Sequence, residues 1–453
     1  KAKGHGRFSP SPSSMASSMP PVQDMEKLLF LLMFSYTVFA QQALSLEDAV
    51  RIALENNYQI KIAQNESQIA HINNHPGAAG MLPTIAVNAT DNPALNNLKQ
   101  EFTNGSTIER NNVGSNAFAA NVALNYTIFD GLKMFATKKR LAELDLLGEN
   151  KLKSQIQNTL SQVIQRYSAV IKQQSYLTVV QQLQKVSEER LQLVKLRQTA
   201  GMANNTDLYL AELDFTSRNQ AVLSQVNAVK SALTDLNIAL NFPADSTYLL
   251  NANLPVTPNL RYAELVSLVA MNPEIQANEN QINISLQAQK EIQAARLPQL
   301  KLSAAYNYNL SQSQAGFTLF NQAYGPSALV TLSVPVFSGN VNARNLKSAK
   351  LQTQNAELQL EQNKKLYQGL LLQTWQMYSM LVAQMEIDKS DSKTAKDYLD
   401  LMTKRYQMGQ STVVDYREAQ RSFEEVNYRV INNLYLAKLA ETDLLRLSGQ
   451  LIK

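Results

Sequence analysis

The chain has 453 residues, of which 45% are hydrophobic and 17% charged, with only 15 glycines and 14 prolines. Few helix breakers over such a length favour long helices. The absence of cysteine excludes thiol catalysis and disulfide staples, and a net charge of +5 without a dense Lys/Arg run gives no nucleic-acid footprint.

Residues 1–24 are Ser/Pro-rich without apolar periodicity and read as a non-native or upstream segment. Met25–Ala40 has the order of a secretory signal. Lys27 forms a short charged region, Leu28–Val38 is an apolar run too short to span a bilayer, and Val38-Phe39-Ala40 precedes a cut. The mature chain is expected to start at Gln41. No later stretch reaches the apolar length of a membrane helix, so the exported chain is expected to be periplasmic, secreted or a β-barrel.

The first unit, 41–241, opens with a predicted helix over Leu46–Asn74, broken by His75-Pro76-Gly77. Ile85–Ala89 alternates weakly. Phe118–Phe129 alternates strictly, with Phe118, Ala120, Val122, Leu124, Tyr126 and Ile128 on one face and Asn121, Asn125 and Thr127 on the other. Lys138–Arg197 is a predicted helix of about 90 Å, with apolar residues at Leu152, Ile156, Leu160, Val163, Tyr167 and Val170 in the steps of a coiled coil. A turn at Gly201 leads to a helix over Thr206–Leu240. Residues 242–261 contain Pro243, Pro255 and Pro258 and read as an irregular connector. The second unit, 262–453, repeats the order: a helix over Tyr262–Arg296, strands over Leu300–Leu310 and Ala328–Val336, a long helix over Asn342–Tyr406, a turn at Gly409 and a helix over Thr412–Leu447. Leu358, Leu366, Leu370 and Trp375 are among the apolar positions of the second long helix.

The two units are copies. Leu82-Pro83 returns as Leu297-Pro298, and Phe129-Asp130-Gly131 as Phe337-Ser338-Gly339. Arg197, Gly201, Asp207 and Ala211 return as Arg405, Gly409, Asp415 and Ala419. A unit this long implies pseudo-symmetry rather than a solenoid. Alternating strands of about ten residues fit a transmembrane β-barrel. A soluble sandwich explains the alternation equally well but usually needs about seven strands. Four strands cannot close a barrel, and an open edge in lipid leaves backbone groups unpaired. Three copies would supply twelve strands and twelve long helices around one hole.

At the two helix turns, Gly201 and Gly409 suit the left-handed position that ends a helix. Asn204 precedes Asp207, and Thr412 precedes Asp415, at capping-box spacing. Asp415 and Glu418 are three apart, on one helical face. His71 and His75 could share a face, but two histidines without a third ligand are a weak metal signal, so no metal site and no cofactor is expected. No phosphate loop, nucleophile elbow or metalloprotease pattern appears, so no enzyme is expected.

Ala53-Leu54-Glu55-Asn56-Asn57, Asn272-Pro273-Glu274-Ile275, the two Leu-Pro pairs, Val334-Pro335-Val336-Phe337-Ser338-Gly339 and Lys404-Arg405-Tyr406-Gln407-Met408-Gly409 occur in one order over about Leu44 to Lys453. In this the sequence resembles the TolC family of outer-membrane efflux ducts. The resemblance implies an α-helical barrel plus a transmembrane β-barrel, built from two pseudo-repeats and completed by homotrimerisation in outer-membrane lipid. It implies passive export of drugs, toxins or proteins from an inner-membrane pump through a periplasmic adaptor (membrane fusion) protein. Asp415 and Glu418 match acidic rings of the pore constriction. Gly201, Asn204, Thr206, Asp207, Tyr406, Gly409, Ser411 and Thr412 fall at the periplasmic tip, where the adaptor docks. Asp207 and Tyr406 match positions whose contacts hold the closed state. Ser411 stands where some relatives carry arginine, so a lock here must differ. The alternative is a soluble periplasmic coiled-coil scaffold or adaptor in which the hairpins form a small sheet. Whether the strands' apolar faces meet lipid separates the two.

Overall fold

The computed structural model describes residues 43–452. The predicted signal segment Met25–Ala40 and residues 1–24 lie outside the described residues. Where one helix was expected over Leu46–Asn74 there are two, α1 (Leu46–Asn56) and α2 (Tyr58–Asn73). Asn57 leaves the helical region at φ −65°, ψ 125°, and its side chain accepts the N–H groups of Gln59 and Ile60. Asn competes for backbone partners in this way and ends one helix while capping the next. Asn272 repeats the device at φ −61°, ψ 129°, accepting from Glu274 N. It splits the predicted Tyr262–Arg296 helix into α5 (Tyr262–Leu268), a 3₁₀ turn (Val269–Met271) and α6 (Pro273–Ala294).

The long helices are α3 (Lys133–Thr199) and α7 (Val341–Gln407), each of 67 residues and about 100 Å long. They fold back as α4 (Asn205–Leu240) and α8 (Val413–Leu447). From the strands to mid-length the helices lie side by side as α2–α3–α6–α7, and beyond that as α4–α3–α8–α7. At mid-length Val163, Tyr167 and Val170 pack on Ala49, Ala53, Leu236 and Leu240. The Tyr167 hydroxyl lies 2.9 Å from the carbonyl oxygens of Leu44 and Asn251, tying the connector to the segment that leads into α1. Leu360, Tyr367, Leu371 and Tyr378 form the matching core of the second unit with Leu265, Ile275 and Leu444. Here the face assigned to α7 from sequence is corrected. Leu358 and Leu366 are 61% and 54% exposed, and Leu370 is exposed too. The helix carries two apolar stripes, and the protomer covers only the other one.

The strands are β1 (Thr84–Glu101), β2 (Thr107–Phe129), β3 (Gln299–Ser313) and β4 (Phe320–Ser333), antiparallel in the order β1-β2-β3-β4. Each Leu-Pro pair directly precedes the first strand of its hairpin. β1 and β2 run far past the alternating segments, because pairing from Asp91↔Phe118 to Glu101↔Thr107 satisfies the backbone whatever the side chains are. β4 stops at Ser333 rather than at Val336, just short of Pro335, which has no N–H to donate. The register gathers the apolar sets on one face. Val122 stands between Val87 and Tyr306, and Leu124 between Ile85 and Ala304. Polar side chains share the opposite face, where Asn88 donates to Asn121 at 2.9 Å and Ser303 to Asn125 at 2.9 Å.

Candidate functional site

The predicted site residues meet at the end of the two helical hairpins farthest from the sheet. Each long helix ends in the same motif. Gly201 (φ 73°) donates to the Gln198 carbonyl at 2.9 Å and Met202 to that of Arg197 at 2.7 Å. Gly409 (φ 75°) donates to Tyr406 at 3.0 Å and Gln410 to Arg405 at 2.8 Å. The crossed pair satisfies the last carbonyls of each helix, and the left-handed residue must be one without a Cβ penalty.

The caps that follow are unequal. Thr412 and Asp415 make a full capping box: Asp415 N–H donates to Thr412 Oγ1 at 3.2 Å, and the Asp415 carboxylate accepts from Thr412 N (3.2 Å) and Oγ1 (2.8 Å). Those bonds, the hydroxyl's first, hold the Asp415 carboxyl below its ordinary range. Asn204 accepts from Asp207 N at 2.9 Å, but among the described residues no bond returns from the Asp207 side chain. The expected box is therefore only half made there. Thr206 is exposed in the first turn of α4. Asp415 and Glu418 are both exposed, and Glu418 lies 3.4 Å from Arg421.

Tyr406 apart, the side chains that join the hairpins were not among the predicted site residues. Arg197, at the end of α3, donates to the carbonyls of Tyr406 (3.2 Å) and Gln407 (2.9 Å). No hydrogen bond links Asp207 to Tyr406 among the described residues. The Tyr406 ring stacks on Tyr416 with centroids 4.9 Å apart. The Arg190 guanidinium sits 5.8 and 5.9 Å from the two ring centroids. Arg190 donates to Asp214 at 3.2 Å, with side chains 1% and 11% exposed, and Arg417 approaches the same carboxylate at 3.9 Å. Burial pushes the Tyr416 phenol well above its ordinary value, and its O–H donates to the Val186 carbonyl at 3.0 Å. Ser411 Oγ is buried without a partner among the described residues. Heptad reading hides this cluster, because a coiled-coil seam is expected to be apolar. The signal was the pair of tyrosines near the turn, Tyr406 and Tyr416, which have no aromatic counterpart at Gln198 and Leu208.

Residues 265–450 match the family model described as outer membrane efflux protein. The match falls within the second of the two units. It is 24% identical to the proteases secretion protein PrtF of Dickeya chrysanthemi over 74% of its own length and 72% of the relative. It is 22% identical to the outer membrane efflux protein BepC of Brucella suis over 73% and 72%. Among solved structures it is similar to the CmeC outer membrane channel of Campylobacter jejuni, with a TM-score of 0.75 at 15% identity over 90% of this chain and 86% of that one. It is also similar to VceC of Vibrio cholerae, with a TM-score of 0.72 at 16% identity over 89% and 96%. The TolC-like architecture expected from the repeats is the fold.

Proposed function

We propose that the protein is the outer-membrane exit duct of a tripartite efflux or secretion system. In this reading a homotrimer passively conducts cargo delivered by an inner-membrane pump through a periplasmic adaptor. The observation that carries it is the pair of unpartnered edges along the protomer. β1 and β4 end the sheet. The flanking helices expose apolar stripes: Ile62, Ile69 and Ile72 on α2, Leu213 and Leu223 on α4, and Leu351, Leu358 and Leu366 on α7. Edges that differ on the two sides of one protomer pair head to tail and close into a ring. Closure also removes the open strand edges, which lipid does not tolerate. The polar face with Asn88, Asn121 and Asn307 then lines water.

A soluble scaffold would need a cover over the sheet's apolar face. No described helix packs across it, and Ile85 and Val87 are 69% and 76% exposed. Relatives named for protease secretion and for efflux match more than two thirds of this chain, so protein and small-molecule cargo both fall within the reading. Asp415 and Glu418 are assigned to the constriction, where stacked carboxylates attract cations. The turns bearing Gly201, Asn204, Thr206, Asp207, Tyr406, Gly409, Ser411 and Thr412 are assigned to adaptor docking. The test is the mass of the purified mature protein in detergent. A trimer is expected, and a stable monomer that needs no detergent would overturn the reading.

A further inference from the structure

At the join between sheet and helices, Gly131 brings the β2–α3 turn against the end of α6. A Cβ there would lie 2.5 Å from the Ala294 carbonyl oxygen and 2.7 Å from Leu297 Cβ, and φ is +74°. Only glycine permits the approach. Beside it opens a cleft of about 620 Å³ with two kinds of lining. Leu132, Phe135 and Leu297 form its apolar wall and are 55%, 54% and 43% exposed. Leu297 stands two residues before β3, and Leu132 three residues after β2, so the wall continues the strands at the membrane's periplasmic boundary. Lys139, Lys290 and Arg296 line the same cleft. None of the three pairs with a carboxylate among the described residues. Two neighbouring carboxylates are engaged elsewhere: Asp130 accepts from Met134 N at 2.9 Å, and Glu291 holds Arg140 at 2.7 Å.

We infer that this cleft binds the headgroup of an anionic phospholipid of the inner leaflet, with the acyl chains lying along Leu132, Phe135 and the sheet's apolar face. Three cations held together without a counter-charge favour an anion, and cationic side chains at a membrane boundary select acidic headgroups. A water-filled lumen gives no reason for three large exposed apolar side chains beside the cations, whereas acyl chains do. The inference rests on the reading that the sheet's apolar face meets lipid, and the experiment separates the two.

Phe135→Trp and Val122→Trp are each made in the mature protein, with the signal of the single native Trp375 subtracted. Each is reconstituted in phosphatidylcholine vesicles containing an equal minor fraction of brominated phosphatidylglycerol or brominated phosphatidylcholine. Bromine on the acyl chains reports lipid itself, so free phosphate cannot mimic the result. The expected outcome is preferential quenching of Phe135→Trp by phosphatidylglycerol, falling by about fivefold for each of Lys139→Gln, Lys290→Gln and Arg296→Gln. The preference should survive Lys393→Gln with Lys396→Gln, which lower the charge far from the cleft. Val122→Trp should be quenched equally by both lipids. Equal quenching of Phe135→Trp by both lipids, with Val122→Trp still quenched, would overturn the headgroup site and leave membrane insertion standing. An unquenched Val122→Trp would overturn the inference together with insertion.

Discussion

The turn after α3 and the turn after α7 follow one backbone path, with Gly201 at φ 73° and Gly409 at φ 75° closing the same crossed pair of hydrogen bonds. Their side chains diverge. Arg197 reaches across to the carbonyls of the other hairpin, whereas among the described residues its counterpart Arg405 makes only a local contact to Gln410 O at 3.5 Å. The second cap is a complete box and the first is half of one. Tyr416 is 1% exposed under Tyr406, while Leu208, at the matching place, is half-buried. Duplication thus preserved the turn, which the backbone demands, and left the docking of one hairpin on the other to residues that differ between the copies. Such a joint can loosen without unfolding either turn.

The largest test of that asymmetry is Tyr416→Ala. Removing a buried aromatic costs about 3–5 kcal/mol, and hydrogen exchange should speed up over the first turns of α8. Leu208→Ala should cost clearly less, and equal costs would erase the distinction. Gly201→Ala and Gly409→Ala should each cost about 1–2 kcal/mol, because both force a Cβ into the left-handed region. Here the copies should agree, and unequal losses in thermal melting would contradict a shared backbone. Thr412→Ala should cost about 1 kcal/mol and exceed Asn204→Ala, since it removes the hydroxyl's bond to the Asp415 carboxylate as well as the acceptor for Asp415 N–H.

The caps should also differ in acid. The Asp415 carboxyl titrates below its ordinary value when folded. Its stabilising bonds are therefore fully present above the unfolded value of about 4 and are lost as pH falls through the lower folded value. Exchange at the start of α8, corrected for intrinsic rate, should rise below about pH 4. The Asn204 side chain has no proton to take up, and the cap it makes should hold. Arg197→Ala should change stability least, by about 1 kcal/mol, and should show itself instead as a tip that opens more often.

Legibility followed the same division. The repeat, the helix turns and the Leu-Pro entries to the strands lie in residue types that the backbone requires, and the sequence reads them directly. The outer halves of β1 and β2 are not legible, because Asn92, Asn96 and Asn97 give no alternation and only the partner strand holds them extended. The break at Asn57 hides inside a helical pattern, since Asn is a moderate helix residue until its side chain caps the next helix. On α7 the sequence shows two apolar stripes and cannot say which one the protomer buries. Arg190 and Asp214 read as solvated charges and prove to be a buried pair within the first hairpin, with the Arg190 guanidinium facing the Tyr406 and Tyr416 rings of the second.

The most direct measurement of the central claim is single-channel conductance of the purified mature protein in a planar bilayer, with and without Arg197→Ala. The account predicts small cation-selective steps from the wild type, weakened selectivity in Asp415→Asn with Glu418→Gln, and larger or longer openings in Arg197→Ala. A wild type that conducts nothing would contradict the duct. An Arg197→Ala protein indistinguishable from the wild type would contradict the hairpin joint as its closure.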